Sequence, residues 1–289
     1  MKAQVAAAIE AHSAAGSEFE AGGVRSFVRQ RGDGEPVVLV HGVPTSSYLY
    51  RKLLEPLAAS GLRPVAFDFP GLGLAARPEG FDYSWSGLAT WTGEAIDALG
   101  IERCHLVVHD IGGPIGFEWA IRNPDRVATL TALNTLVDVG RFHRPWSMHP
   151  FSVRGIGEVY LRTMTPFAMR RLFYLQGVAD RAATPAPEIS AYYYLLKRED
   201  GGRAFLRIMR GFELSEEKDR FFTDGLATLD CPRQVVWGER DPALGEERRL
   251  AVQRALGVER PLLLPAKHFL QEDQAPAVAE AIAAVAARA

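Results

Sequence analysis

Leu106-Val107-Val108-His109-Asp110-Ile111-Gly112-Gly113-Pro114-Ile115-Gly116 is the stretch that decides how this chain is read. An apolar run meets a polar pair, two glycines follow, and a helical pattern starts near Pro114. A strand that turns this tightly into a helix needs small residues, so that the helix can pack back against the strand it has just left. The residue at the tip of such a nucleophile elbow, here Asp110, is held clear of the turn. The amino terminus of the helix lies behind it, favouring an ionised carboxylate and offering backbone N–H groups to an oxyanion.

Working outward, short β-branched runs alternate with helical patterns: Pro36 to Val40, Arg63 to Asp68, Cys104 to His109, Val127 to Leu133, Arg233 to Trp237 and Pro261 to Pro265. The runs are nearly continuous in apolar character, as in strands of a parallel sheet covered by helices on both faces. An antiparallel pair is predicted before them, over roughly Glu18 to Arg31. From Leu133 to about Leu229 the rhythm stops, and residues rich in Arg, Phe and Tyr take helical spacing, as in Phe167 to Leu175 and Ile189 to Lys197. The expected architecture is a mostly parallel, doubly wound α/β sheet with a helical cap inserted after the sixth strand. The core would comprise residues 1–137 and 226–289, and the cap residues 138–225. Prolines at 145, 166, 185 and 187 break the cap into several short helices. Such lids sit over the carboxyl ends of the strands, where open α/β sheets place substrate pockets.

Composition narrows the partners. The 289 residues are 47% hydrophobic and 24% charged, with a formal charge of −2, which fits a globular chain and gives no attraction to nucleic acid or an anionic membrane. A small apolar substrate is expected. No stretch reaches the roughly 20 apolar residues that span a bilayer, and Glu10 and His12 interrupt the alanine-rich start, against a secretory signal. With two cysteines, Cys104 and Cys231, neither a disulfide framework nor a zinc site is the economical reading. The expected setting is reducing and cytoplasmic, the oligomeric state monomer or homodimer, with no cofactor and no metal.

Elbow chemistry needs an acid and a histidine downstream, each in a loop after a strand. Gly238-Glu239-Arg240-Asp241-Pro242 follows one apolar run and Ala266-Lys267-His268-Phe269 another, so Asp241 and His268 complete the set with Asp110. A carboxylate nucleophile can displace a leaving group at saturated carbon without first losing a proton, forming an alkyl ester. Water activated by His268 would then attack the carboxyl carbon and regenerate Asp110. Serine in its place would be left as a dead ether. Val40-His41-Gly42-Val43-Pro44-Thr45-Ser46-Ser47, also after a strand, brings the Val43 N–H to face the elbow, where with the Ile111 N–H it would form an oxyanion hole.

These motifs resemble the α/β-hydrolase superfamily, and within it the haloalkane dehalogenases and their epoxide hydrolase relatives. The resemblance runs through His41 to Arg51, Asp68 to Gly73, Val108 to Gly116, Asn123 to Val127, Trp237 to Pro242 and His268 to Asp273, spanning the core and leaving the cap unmatched. It implies a hydrolase with water as second substrate and Asp110, Asp241 and His268 as catalytic residues. Dehalogenases commonly carry Trp after the nucleophile, and many carry Asn between the glycine and proline of the first motif, both donating to the departing halide. Here those positions are Ile111 and Val43, whose side chains cannot donate. Trp146 is a cap residue that could take over this role. Epoxide hydrolases use cap tyrosines as acids, for which Tyr160, Tyr174, Tyr192, Tyr193 and Tyr194 are candidates; Tyr160 and Trp146 are the cap residues singled out. Dehalogenation leads, epoxide hydrolysis follows, then hydrolysis of an ester or lactone; a small-molecule binding protein with little turnover is the alternative outside enzymes.

Other polar residues read more simply. His41 and His109 are expected to be structural hydrogen-bond partners, Ser46 and Ser47 turn and cap residues, and Gly71-Leu72-Gly73 a turn without the rest of a phosphate loop. His143 and His149 have no third partner at ligand spacing.

Overall fold

The computed structural model describes all residues 1–289. Eight strands form one sheet: β1 (Ser17–Ala21), β2 (Val24–Gln30), β3 (Glu35–Val40), β4 (Leu62–Phe67), β5 (Cys104–Asp110), β6 (Val127–Thr135), β7 (Arg233–Gly238) and β8 (Leu262–Leu264). Their order is β1-β2-β4-β3-β5-β6-β7-β8. The β1–β2 and β2–β4 pairs are antiparallel and the rest parallel. β6 is buried at every position, as a strand covered on both faces must be. Each fully buried Val, Leu or Phe in this layer contributes about 1.5–3 kcal/mol.

Around the sheet lie α1 (Lys2–Ala14), α2 (Leu54–Ala59), α3 (Trp85–Ala98), α4 (Gly112–Arg122), α11 (Glu246–Leu256), α12 (Leu270–Asp273) and α13 (Ala275–Ala286). Between β6 and β7 the chain forms α5 (His149–Ser152), α6 (Ile156–Thr163), α7 (Pro166–Leu172), α8 (Ala186–Lys197), α9 (Arg203–Arg210) and α10 (Glu216–Ala227), with a π-helical turn at Phe173–Gly177. None of the helices is long and apolar enough to cross a membrane.

The helices that follow β6 are tied to the core by charge. Arg51 bonds Glu188 of α8 at 2.5 Å and Glu272 of α12 through both Nη atoms, at 2.6 and 2.8 Å. Tyr192 of α8 also donates to Glu272. Arg77 reaches Leu195 O (2.9 Å) and Arg198 reaches Leu74 O (3.1 Å). Because β3 and β5 are neighbours while β3 leads to β4 on its other side, the loops after β3 and β5 meet at the switch point of the sheet, beneath these helices.

Candidate active site

Asp110 ends β5 with φ +54°. This left-handed backbone costs an L-residue about 1–2 kcal/mol and is borne most easily by Gly, Asn or Asp. The turn is held from two sides. Thr135 of β6 donates its hydroxyl to Asp110 O at 2.6 Å. Gly113 lets α4 begin against that threonine, since a Cβ there would stand 1.7 Å from Thr135 Oγ1. The expected helix start near Pro114 is met two residues earlier, at Gly112.

The loop after β3 approaches from the other side. Val43 N donates to Asp110 Oδ1 at 2.8 Å, and the Ile111 N–H is a further hydrogen-bonding influence on the same carboxylate. The loop is fixed from beneath. His41 donates from Nδ1 to Gly42 O (2.9 Å) and accepts at Nε2 from Phe69 N (3.1 Å). Burial lowers its pKa to about 4, so it serves as a neutral strut. Buried Asp68 accepts from Ser47 N and Leu74 N, both at 2.6 Å, joining the loops after β3 and β4.

Asp241, in the loop after β7, is buried. Its Oδ1 accepts from Ala243 N (2.7 Å) and Leu244 N (3.0 Å), and its Oδ2 from Asn134 Nδ2 (2.7 Å) and His268 Nδ1 (2.8 Å). Burial alone would raise its pKa, but His268 and these donors bring it below the usual carboxylate value. The His268 ring then presents Nε2 to Asp110 Oδ2 at 3.4 Å. Burial opposes protonation of His268, yet Asp241 and Asp110 on its two sides raise its pKa to about 10. His109 anchors the histidine loop by donating from Nε2 to His268 O at 2.9 Å. It is itself neutral, its pKa lowered to about 3 by burial and by the neighbouring His268.

Asp110, Asp241, His268, Val43 and Ile111 are therefore brought together, and all but Asp241 line one cavity of about 110 Å³. Of its 27 lining residues 18 are hydrophobic, so a ligand there would be largely stripped of water. Phe269 closes one wall, stacked on Phe173 at 4.8 Å between ring centroids and tilted by 16°.

The two residues between β6 and β7 singled out from sequence, Trp146 and Tyr160, do not line this cavity. Trp146 is 66% exposed, because the turn before α5 points its ring outward while Ser147 and Met148 face in. Tyr160 packs on Phe151 at 4.9 Å, behind the lining. Of the tyrosines between β6 and β7, Tyr193 lines the cavity, whereas Tyr192 is committed to Glu272 and Tyr174 to Thr184 O. Polar groups that the sequence reading did not single out also line it: Arg144, Gln176, whose Oε1 accepts from Ser147 at 2.7 Å, and Lys197. Asn134, which donates to Asp241 and accepts from Gly238 N at 2.7 Å with φ +22°, was likewise not anticipated. Its signal was a polar side chain at the carboxyl end of the apolar strand Leu130 to Leu133, where such sheets gather functional groups.

A sheet of this order, an elbow at the end of β5 and a histidine and an acid on the loops after β8 and β7 define a hydrolase-type α/β enzyme. The chain belongs to the α/β-hydrolase fold family, whose model matches residues 35–179. It is 31% identical to a haloalkane dehalogenase of Mycobacterium marinum, over 86% of this chain and 84% of that protein. Its fold is similar to that of DBJA in crystal form (TM-score 0.80, 22% identity, 94% of this chain and 98% of that one). It is also similar to that of epoxide hydrolase CorEH (TM-score 0.79, 20% identity, the same coverage).

Proposed function

We propose that the protein is a haloalkane dehalogenase-like hydrolase in which Asp110 attacks a saturated carbon, halide leaves, and His268 with Asp241 drives hydrolysis of the resulting ester. The carrying observation is that one carboxylate, Asp110, meets His268 Nε2 through Oδ2 and a backbone N–H through Oδ1. The first oxygen is aligned with a base and the second with an oxyanion donor. Kinship to dehalogenases at 31% identity supports the same reading.

The charge states follow from the contacts. In the resting site His268 is an imidazolium between two carboxylates. Attack on the substrate turns Asp110 into a neutral ester and removes one of the anions that hold the proton, so the imidazolium releases its proton to solvent as halide leaves and the neutral imidazole is the base when water must be activated. Water then adds to the ester carbonyl and gives its proton to His268, while the Val43 and Ile111 N–H groups hold the oxyanion. Collapse releases the alcohol and restores Asp110. Asp241 stabilises the imidazolium in the resting site and again once water has given up its proton.

At positions 43 and 111, valine and isoleucine give the departing halide no side-chain donor. In this reading that part is taken by cavity groups such as the Gln176 amide. The helices of residues 138–225 act as the cap over the substrate, the protein works in the cytoplasm as a monomer or homodimer, and water is the second substrate.

Epoxide hydrolysis is the second reading, favoured by Tyr193, a cap phenol in the cavity lining. Product analysis separates the two: halide with alcohol from a haloalkane, or diol from an epoxide. Asp110→Ala is expected to abolish either, and turnover surviving that change would refute the nucleophile assignment.

A further inference from the structure

Arg144 shares the lack of a carboxylate partner with half-buried Arg29, whose Nη1 meets His12, but it alone among the arginines lines the cavity. Arg51 pairs with Glu272, Arg77 with Asp200, Arg210 with Glu158 and Arg248 with Asp138. Arg144 lines the apolar cavity and has no carboxylate partner. Its Nη2 donates to Met209 O at 2.9 Å, its guanidinium lies 4.6 Å from the Phe212 ring centroid, and its Nε is buried without a partner. Burial lowers its pKa, with no neighbouring anion acting against that. Lys197, at the end of α8, lines the same cavity and meets only neutral acceptors, Leu161 O at 3.1 Å and the Tyr193 hydroxyl at 3.3 Å.

A cation half-buried among apolar groups without a counter-ion is a cost to the fold. The hydrogen bond to a carbonyl at the end of α9 needs a single N–H and would be met by a neutral glutamine, and the contact with the Phe212 ring supplies no counter-ion. With His268 protonated, the two carboxylates and three cations of the site leave one positive charge over. A neutral haloalkane would leave that excess uncompensated.

We propose that the natural substrate carries an anionic group, a carboxylate or sulfonate, joined by an alkyl chain to the carbon that Asp110 attacks, and that Arg144 holds this group with Lys197 as a second cation. The planar guanidinium still has N–H groups to offer, and a carboxylate can take two of them side by side. The apolar lining between takes the chain. Asp110 as nucleophile enters only in setting which end of the substrate reacts.

Calorimetric titration of the intact protein with unreactive straight-chain alkanoates and alkanols of about four to eight carbons tests this. At the best chain length the alkanoate should bind at least about tenfold more tightly than the alkanol, the scale of one charge-assisted hydrogen bond. Arg144→Met should bring the two to parity and Arg144→Lys should keep part of the preference. Parity in the unmodified protein overturns the proposal without recourse to any variant. So does a preference lost in Lys197→Met but kept in Arg144→Met. If bromide binds and Arg144→Met abolishes that binding while alkanoate and alkanol bind equally, Arg144 holds the leaving halide and the proposal falls. Because these ligands cannot react, the outcome does not depend on whether Asp110 forms an ester.

Discussion

Gly42 and Asp110 approach so closely that a Cβ on Gly42 would lie 2.2 Å from Asp110 Oδ1 and 2.4 Å from its Cβ. The space that a side chain would fill is the one through which the Val43 N–H reaches the carboxylate. Gly42→Ala must displace either the loop or the nucleophile. Overpacking of this kind costs about 1–3 kcal/mol of stability, and misplacing the reacting groups by about 1 Å costs on the order of 10²-fold in rate. A variant with a lower melting temperature and kcat reduced by that order is expected; wild-type kcat would show that the Val43 contact is dispensable.

The two carboxylates flanking His268 set a pH dependence with a definite sign. His268 has a folded-state pKa near 10 against an ordinary 6.5, so its contribution to stability is full below pH 6.5 and is lost as pH rises through 10. Asp110 and Asp241 are lowered from 3.8, so theirs is present above that pH and lost as pH falls below it. Asp110→Asn removes one anion. The imidazole should then titrate at lower pH by NMR, and the alkaline loss of stability should shrink. An unchanged imidazole titration would mean that Asp110 does not act on His268.

Asn134 links the acid to the strand beside it. Asn134→Ala deletes a donor to Asp241 and leaves the Gly238 N–H without its acceptor in a buried place. Leaving a buried group unsatisfied costs about 1–3 kcal/mol, so chemical denaturation should show a loss of that size. Turnover should fall less than in Asp241→Ala, because His268 Nδ1 keeps its carboxylate. Equal falls in the two variants would make Asn134 as important to the chemistry as the acid itself.

Glu272 is buried and holds Arg51, Lys52 and Tyr192 at the base of the α8 contact. Burial would raise its pKa, but Arg51 brings it below the usual value. Glu272→Ala leaves Arg51, of whose side chain only 11% is exposed, with Glu188 as its one remaining carboxylate. Breaking a buried pair from one side costs about 3–5 kcal/mol. Equilibrium denaturation should show a loss at or below the lower end of that range, because Glu188 still faces Arg51; a loss below about 1 kcal/mol would class the pair with surface bridges.

How far the sequence could be read follows from where each signal resides. The strands were legible because apolar runs and glycine turns are local: Cys104 to His109 was expected and Cys104–Asp110 is found, Arg233 to Trp237 was expected and Arg233–Gly238 is found. Asp110, Asp241 and His268 stood out because each lies at or within a few residues of the end of such a run. Asn134 did not, since its partner lies 107 residues away and the contact exists only because β6 and β7 are neighbours. The helices between β6 and β7 were the least legible part. Which of Arg144, Trp146 or Tyr193 enters the cavity depends on the rotation of short helices, which packing sets and spacing does not reveal. Two charged residues in that lining, Arg144 and Lys197, look in sequence like ordinary solvated positions.

The most direct test of the central claim, that Asp110 is alkylated during turnover, is the intact mass of His268→Phe after incubation with haloalkanes and epoxides, including ω-halogenated alkanoates. Without its base the enzyme should stall at the ester. The account predicts a mass gain equal to the alkyl group, with free halide in solution and the modified peptide containing Asp110. A gain equal to a whole epoxide would keep the nucleophile and move the substrate class. Absence of any adduct in folded His268→Phe, while the unmodified protein turns the same compounds over, would contradict it.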